Sequence, residues 1–240
     1  MPVSVCWSVK GGSGTTVVAA SLALLSSLDS TLVDLAGELP AVLGLPDPPG
    51  QGVTDWLASD APAPALADLT VTVDRATDLV PRGSGTLDRG SPRWPELLAW
   101  LRGRPNAIID AGTGPPPDEL VGDGVRSLLV TRGCFLALRR AVAAPRRPDG
   151  VVLVAEPGRS LRAAEVTRAV GAPVVATVSV DPAVARAVDA GLLVARLPRV
   201  LQRELRALTD ARTSSSTKRG VRDLALSWDR RSQPVSVVRQ

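Results

Sequence analysis

The chain has 240 residues, of which 45% are hydrophobic, and this length fits one large domain, alone or with a small appendage. It contains no histidine, which excludes histidine-based acid–base catalysis, Ser-His-Asp triads and histidine metal sites. The net charge is +4, but the first 120 residues carry 7 Lys and Arg against 14 Asp and Glu, whereas the rest carry 21 against 10. The basic second half indicates an anionic partner, such as DNA, lipid or an acidic protein, or a bias toward arginine on solvated helix faces.

The cysteines and the apolar segments indicate a cytoplasmic protein. Cys6 and Cys134 have no metal-ligand spacing, which is typical of chains in a reducing compartment. The N-terminus lacks the charged and long apolar regions of a secretory signal, and no run of 18 or more apolar residues occurs. We therefore expect neither export nor a membrane span.

Strand and helix patterns alternate along the chain. Short apolar runs predict strands over residues 3–9, 31–35, 69–73, 79–81, 107–110, 127–131, 151–155 and 173–178. Helical spacing predicts helices over residues 16–28, 53–59, 94–101, 134–144, 161–170, 182–190 and 199–208. This order predicts an α/β fold with a mostly parallel sheet and helices on both faces. Ligands of such sheets bind at the carboxyl ends of the strands.

A glycine-rich loop follows the first strand and reads Lys10-Gly11-Gly12-Ser13-Gly14-Thr15-Thr16. Glycines let the backbone approach a phosphate closely, and the positive end of the next helix points at the same place. Lys10 is one of only two lysines among 28 cationic residues, and lysine and arginine are not interchangeable at a phosphate. The loop therefore predicts a phosphate site; the alternative is a glycine turn that binds no ligand.

The loop resembles the deviant Walker A loop of the ParA/MinD family of P-loop ATPases, whose pattern is KGGxGK[ST]. Its GGSGTT form resembles the branch around the CpaE/TadZ pilus-assembly localisation proteins. The resemblance covers about residues 1–210 and implies the P-loop NTPase fold, with ATP bound along Lys10–Thr16. It further implies that Lys10, the candidate catalytic residue, reaches a partner subunit's nucleotide and that Thr16 binds Mg²⁺. Thr15 stands where the family has its second lysine, so one phosphate-binding cation is missing.

Two acids at strand ends are candidate metal ligands. Asp34 ends the second predicted strand, and Asp110 ends another after three apolar residues. This is the form of a Walker B acid, since Mg²⁺ on a triphosphate needs carboxylates near the Thr16 hydroxyl. We therefore expect Thr16, Asp34 and Asp110 to hold Mg²⁺; alternatively, Asp110 only caps the next turn.

A second departure from the family concerns hydrolysis. Relatives commonly carry D-x-D after the second strand, and the second acid positions the attacking water, but this chain has Ala36 there. Glu38 could replace that acid only if the loop took a different path. Together with Thr15, Ala36 implies an ATP-binding protein that is at most a slow ATPase.

Residues 180–191 resemble the family segment whose backbone lies near the adenine ring, although Ser179 stands where relatives commonly have proline. The resemblance implies nucleotide contacts at Asp181 and Pro182. These two residues are also a favourable N-cap and first residue of a helix, and both interpretations can hold.

The C-terminal residues are polar and basic. The run 213–217 is typical of a linker between a nucleotide-binding domain over residues 1–212 and a tail over residues 218–240. A helix over residues 218–231 would place Val221, Leu224, Ala225 and Trp228 on one face amid basic residues. Such a segment lies on anionic lipid, as in MinD-like relatives, packs on the domain or is disordered.

The resemblance implies an ATP-stabilised homodimer that places a pilus, secretion or division apparatus in a bacterial cell, through an unidentified protein partner. Two other functions remain open: an active ATPase that binds DNA non-specifically, and an interaction module that has lost the nucleotide. A dinucleotide oxidoreductase shares the strand–loop–helix entry, but Lys10 and the two hydroxyls suit a phosphate–metal site better.

Overall fold

A single eight-stranded sheet organises the computed structural model, which describes residues 3–48 and 50–209. The strands are β1 (Val3–Ser8), β2 (Ser30–Asp34), β3 (Val71–Thr72), β4 (Thr77–Val80), β5 (Asn106–Thr113), β6 (Val125–Arg132), β7 (Gly150–Ala155) and β8 (Val174–Ser179). Their order is β3-β4-β2-β5-β1-β6-β7-β8, and every neighbouring pair is parallel except β3–β4. The strand that precedes the glycine loop therefore lies inside the sheet, between β5 and β6.

Helices connect most of the strands, as a parallel sheet requires. They are α1 (Thr15–Leu24), α2 (Leu39–Leu43), α3 (Val53–Leu57), α4 (Trp94–Arg102), α5 (Phe135–Val142), α6 (Ala163–Val170), α7 (Pro182–Asp189) and α8 (Arg199–Thr209). The predicted α/β fold class is confirmed. The sequence prediction missed α2, because five residues are too few for a helical period, and it extended α1 too far. Past α1 the Ser26 hydroxyl accepts the backbone N–H of Leu28 at 3.0 Å and forms a turn.

Two apolar layers cover the sheet. One contains α1 and α8 against residues such as Cys6, Ile108 and Leu128, and the other contains Trp7 and Trp94. Seven residues of α1 are buried, because this helix contacts the sheet, α2 and α8 together. The apolar character of α1 all round its axis thus reflects its burial, as predicted.

The strand register aligns several polar side chains on the α1 face. Asp110 pairs with Asp34 of β2 on one side and with Cys6 of β1 on the other. Even-numbered residues of β5 and β6, such as Ile108 and Val130, belong to the apolar cluster that contains α1. Since side chains alternate along a strand, Asp34, Asp110 and Arg132 also face α1.

None of the helices in the described part of the chain is long and apolar enough to cross a membrane. The predicted linker over residues 213–217 and the basic tail over residues 218–240 lie outside the described residues.

Candidate phosphate-binding site

The glycine loop forms a bend that its own hydroxyl groups close. The carbonyl oxygen of Lys10 accepts hydrogen bonds from Ser13 Oγ at 2.6 Å and from Ser8 Oγ at 3.2 Å. Gly12 and Gly14 have φ values of 73° and 87°, a region that other residues rarely adopt. The bend is therefore fixed by two glycines in the left-handed region and by the hydrogen bonds to the Lys10 carbonyl.

The N-terminus of α1 is open toward this bend. Gly14, its N-cap residue, provides no side-chain cap, and the first turn contains no acidic residue. The first N–H groups of the helix thus retain the positive potential that attracts an anion. The Lys10 side chain is half-buried and forms no hydrogen bond or ion pair with any other described residue. Both features leave donors available for a phosphate at this point.

Asp110 has a buried oxygen without a partner. Its Oδ1 accepts the backbone N–H of Gly112 at 3.0 Å, whereas its Oδ2 has no hydrogen-bond partner. Burial raises the pKa of this carboxyl to about 6; the nearby Thr16 hydroxyl and the Gly112 N–H oppose that rise, and Asp34 and Glu38 add to it. A buried carboxylate oxygen beside a hydroxyl is a donor pair that suits a divalent cation.

Asp34 is occupied differently, although it is equally buried. Its Oδ1 accepts the backbone N–H groups of Ala36 at 2.9 Å and Gly37 at 2.6 Å, and its Oδ2 accepts that of Leu39 at 3.1 Å. Burial raises the pKa of Asp34, and these three hydrogen bonds oppose the rise. The carboxylate therefore shapes the turn after β2 and the start of α2. Its predicted role toward Mg²⁺ stays a prediction.

The position of the missing second acid is filled by a methyl group. A Cβ added to Gly112 would lie 2.9 Å from the Ala36 Cβ, so β5 and the turn after β2 are in close contact there. Glu38 stands at the N-cap of α2, close enough to Asp110 to raise the pKa of that carboxyl. The structure thus places a carboxylate near Asp110 but not at position 36.

The predicted end of the strand at Asp110 is wrong. The prediction ends a strand at Asp110, but β5 continues to Thr113 because the pairing with β1 resumes at Ser8 after an irregularity. The backbone N–H of Gly114 then donates to the Ser8 carbonyl at 2.7 Å. Asp110 consequently lies inside the strand, beneath the glycine loop.

The second predicted nucleotide segment lies three strands away from β1. Asp181 follows β8, and its Oδ1 accepts the backbone N–H of Ala183 at 2.7 Å, while Pro182 begins α7. The expected helix cap is therefore confirmed. The structure brings Lys10–Thr16, Asp34 and Asp110 together, whereas the adenine contact at Asp181 and Pro182 stays a prediction.

An arginine at this edge of the sheet was not predicted to have a role. The predicted strand stops at residue 131, but β6 includes Arg132, which forms an ion pair with Glu156 after β7. Glu156 also pairs with Arg159 at 2.7 Å. Arg132 Nε is buried without a partner. The sequence did contain a signal for this residue, because an arginine directly follows the predicted strand.

The donors at the site fit a metal that arrives with a ligand. Within the described ranges no group of three or more His, Cys, Asp and Glu residues could hold a metal ion alone. Mg²⁺ is commonly bound through one or two carboxylates together with substrate phosphates. Thr16 and the free oxygen of Asp110 therefore suit Mg²⁺ that is also bound to a polyphosphate.

Comparisons with known proteins establish the fold. The chain matches no family model and no curated protein sequence. The septum site-determining protein MinD of Pyrococcus horikoshii, solved with Mg-ADP, is 21% identical with a TM-score of 0.70, covering 90% of this chain and 98% of its own. A chain of the MinC:MinD cell division protein complex of Aquifex aeolicus is 17% identical with a TM-score of 0.69, covering 99% of each chain. A ParA family ATPase of Chlorobium tepidum is 18% identical with a TM-score of 0.67, covering 87% and 98%. The fold is that of ParA/MinD-type P-loop NTPases, as predicted.

Proposed function

We propose that this chain binds ATP and Mg²⁺ at the glycine loop and acts as a dimeric positioning protein with slow or absent hydrolysis. One observation carries this proposal: Thr16 lies in the uncapped first turn of α1, and its hydroxyl is close enough to lower the pKa of Asp110, whose buried Oδ2 has no partner. The helix start can bind a phosphate, and the two oxygens can bind a cation that is attached to the same phosphate. The fold is shared with a MinD protein that was solved with Mg-ADP.

The residues of the site have distinct tasks in this proposal. The loop backbone and the first turn of α1 hold the phosphates, and Lys10 neutralises their charge. The Thr16 hydroxyl and Asp110 hold Mg²⁺, which supplies further neutralisation of the triphosphate when it is bound. Asp34 keeps the turn after β2 in place through its three backbone hydrogen bonds.

Slow hydrolysis follows from two missing groups. Thr15 provides no cation for the phosphates, and Ala36 provides no carboxylate to orient a water molecule. The nucleotide then acts mainly as a switch, because contacts to its γ-phosphate favour one assembly state over another.

The proposal also includes a homodimer, a cargo and a place in the cell. Lys10 is available to reach a second copy, and Phe135, 76% exposed at the start of α5, lies at the same edge of the sheet. The resemblance to the CpaE/TadZ branch supports a pilus or secretion apparatus as cargo, and the solved MinC:MinD complex supports recruitment of a protein partner. We place the protein in the cytoplasm of a bacterial cell, with the tail over residues 218–231 as a membrane contact.

Calorimetric titration of the full chain with Mg²⁺–ATP tests the proposal. We expect binding that Lys10→Ala weakens and that Lys218→Ala, which removes the only other lysine, leaves unchanged. Light scattering should show an ATP-dependent dimer that is lost in Lys10→Ala, with little phosphate release. If the wild-type chain gives neither heat nor a thermal shift, it is an interaction module without nucleotide and this proposal is wrong.

A second candidate function is non-specific DNA binding. The solvent side of α8 carries Arg199, Arg203 and Arg206, all exposed, and Arg203 alone of these pairs with an acid in the described structure. Such a row suits a phosphate backbone. This function would be favoured if the protein is retained on DNA and the retention falls steeply as salt rises. The double variant Arg199→Gln with Arg206→Gln should then be retained less.

A further inference from the structure

Arg132 lies beside the glycine loop although it is distant from it in sequence. It is the last residue of β6, the direct neighbour of β1, and it pairs in register with Val154 of β7. Val154 in turn borders the loop, since its Cγ2 would lie 3.9 Å from a Cβ added to Gly14. Arg132 is therefore at the end of a strand whose two neighbours, β1 and β7, both lead to or border the loop.

The side chain of Arg132 points toward the same face of the sheet as the rest of the site. Leu128 and Val130, four and two residues earlier on β6, pack around α1. Alternation along the strand places Arg132 on that face, which also carries Asp110. The guanidinium group is thus at the carboxyl edge of the sheet and on the side where α1 begins.

The charges around Arg132 do not cancel. Glu156 is the single carboxylate that pairs with both Arg132 and Arg159, so the three side chains carry one net positive charge. Glu156 stays ionised because Arg159 and Arg132 lower its pKa. The Arg132 side chain is 39% exposed, yet its Nε is buried and has no partner. The cluster thus contains an unused buried donor and one uncompensated positive charge, both of which suit an anionic ligand.

We propose that Arg132 is a phosphate-binding residue of the nucleotide site and supplies the cationic contact that Thr15 does not provide. This inference rests on the proposed function. Arginine can donate two parallel hydrogen bonds to a phosphate, so a guanidinium group beside the loop can provide the cationic contact that a loop lysine would make. Glu156 keeps the guanidinium group at the edge of the site before the nucleotide arrives.

The test is calorimetric titration of full-length protein with Mg²⁺–ATP, Mg²⁺–ADP and AMP. Arg132→Gln should weaken ATP and ADP binding by roughly 10- to 100-fold, the loss of a charge-assisted contact, and AMP binding by less. Arg159→Gln is the matched control, because it removes the other arginine bound to Glu156, and it should change affinity by less than about 3-fold. Arg132→Lys should retain part of the affinity.

A compensating substitution separates a phosphate role from a structural one. Thr15→Lys restores a lysine to the loop, and in the Arg132→Gln background it should recover most of the lost ATP affinity. Thermal melting without nucleotide identifies a variant that fails to fold, and Arg132→Lys then carries the test. If wild-type protein binds ATP and the Arg132 variants bind equally well, Arg132 is structural and this inference is wrong. If wild-type protein binds no Mg²⁺–ATP, the proposed function fails and this inference fails with it.

Discussion

Two buried acids on neighbouring strands have different tasks in this protein. Asp34 directs both oxygens to backbone N–H groups, whereas Asp110 keeps one oxygen without a partner. An unsatisfied buried oxygen costs free energy, so its presence beside Thr16 requires a compensating role. Binding of a cation would remove both the cost and the raised pKa of Asp110.

The first prediction concerns stability without nucleotide. The pKa of Asp110 is about 6 in the folded chain, against 3.8 for an ordinary aspartic acid, so between pH 4 and 6 the folded chain holds a proton that the unfolded chain has released. Stability should therefore fall as pH rises through this window and stay lower above it. Asp110→Asn should be more stable than wild type by about 1–3 kcal/mol at pH 8 and of similar stability at pH 4. Urea unfolding from pH 4 to 8 measures this, and parallel curves for the two proteins would contradict it.

The second prediction concerns the hydroxyl groups of the loop. Thr16→Val keeps the side-chain shape but removes the oxygen that would bind Mg²⁺. We expect ATP affinity to fall by about 10-fold or more with Mg²⁺ present and to change little in EDTA. Thr15→Val is the control, since the family pattern assigns the metal-binding hydroxyl to the next position. Equal losses in the two variants, or a loss that persists in EDTA, would count against Thr16 as a metal ligand.

At the scale of elements, short helices are held by close backbone contacts. The helix α2 has only five residues, yet Asp34 holds its start and Gly44 ends it against the backbone of Gly191 after α7. A segment this short gains little from its own hydrogen bonds, so packing must stabilise it. The end of α2 therefore depends on a contact with a residue that is distant in sequence.

The third prediction tests that contact. Gly44 has a φ of 71°, and a Cβ there would overlap the Gly191 carbonyl. Gly44→Ala should destabilise the protein by about 2–4 kcal/mol, from backbone strain and steric overlap together. Gly122→Ala, where an added Cβ meets no atom within 4 Å, should change stability by less than about 1 kcal/mol. Chemical denaturation of both variants measures this, and similar midpoints would show that α2 does not need the contact.

At the scale of the whole molecule, charge divides the chain. The acidic first half carries the glycine loop and all three metal-ligand candidates, and the basic second half carries α8 and the tail. Positive potential in the second half suits an anionic surface, while the proposed nucleotide site takes its loop and its acids from the first half and Arg132 from the second.

The fourth prediction concerns the tail over residues 218–231. Full-length protein should pellet with vesicles that contain anionic lipid, and a chain truncated to residues 1–212 should not, because the basic amphipathic segment is gone. Pelleting should weaken as salt rises, and both proteins should bind Mg²⁺–ATP alike. Equal pelleting of the two chains would remove the membrane contact from the proposed function.

The amino-acid sequence alone determined the α/β class, most strands and helices, the glycine loop and the acid Asp110 after an apolar run. These features are local: apolar runs set the strands, and glycines set the bend between β1 and α1. Tertiary structure decided which Asp110 oxygen is free, how Asp34 is used, and that Arg132 and Glu156 lie beside the loop. Strand order and register are set by packing of distant segments, so spacing in the sequence does not contain them.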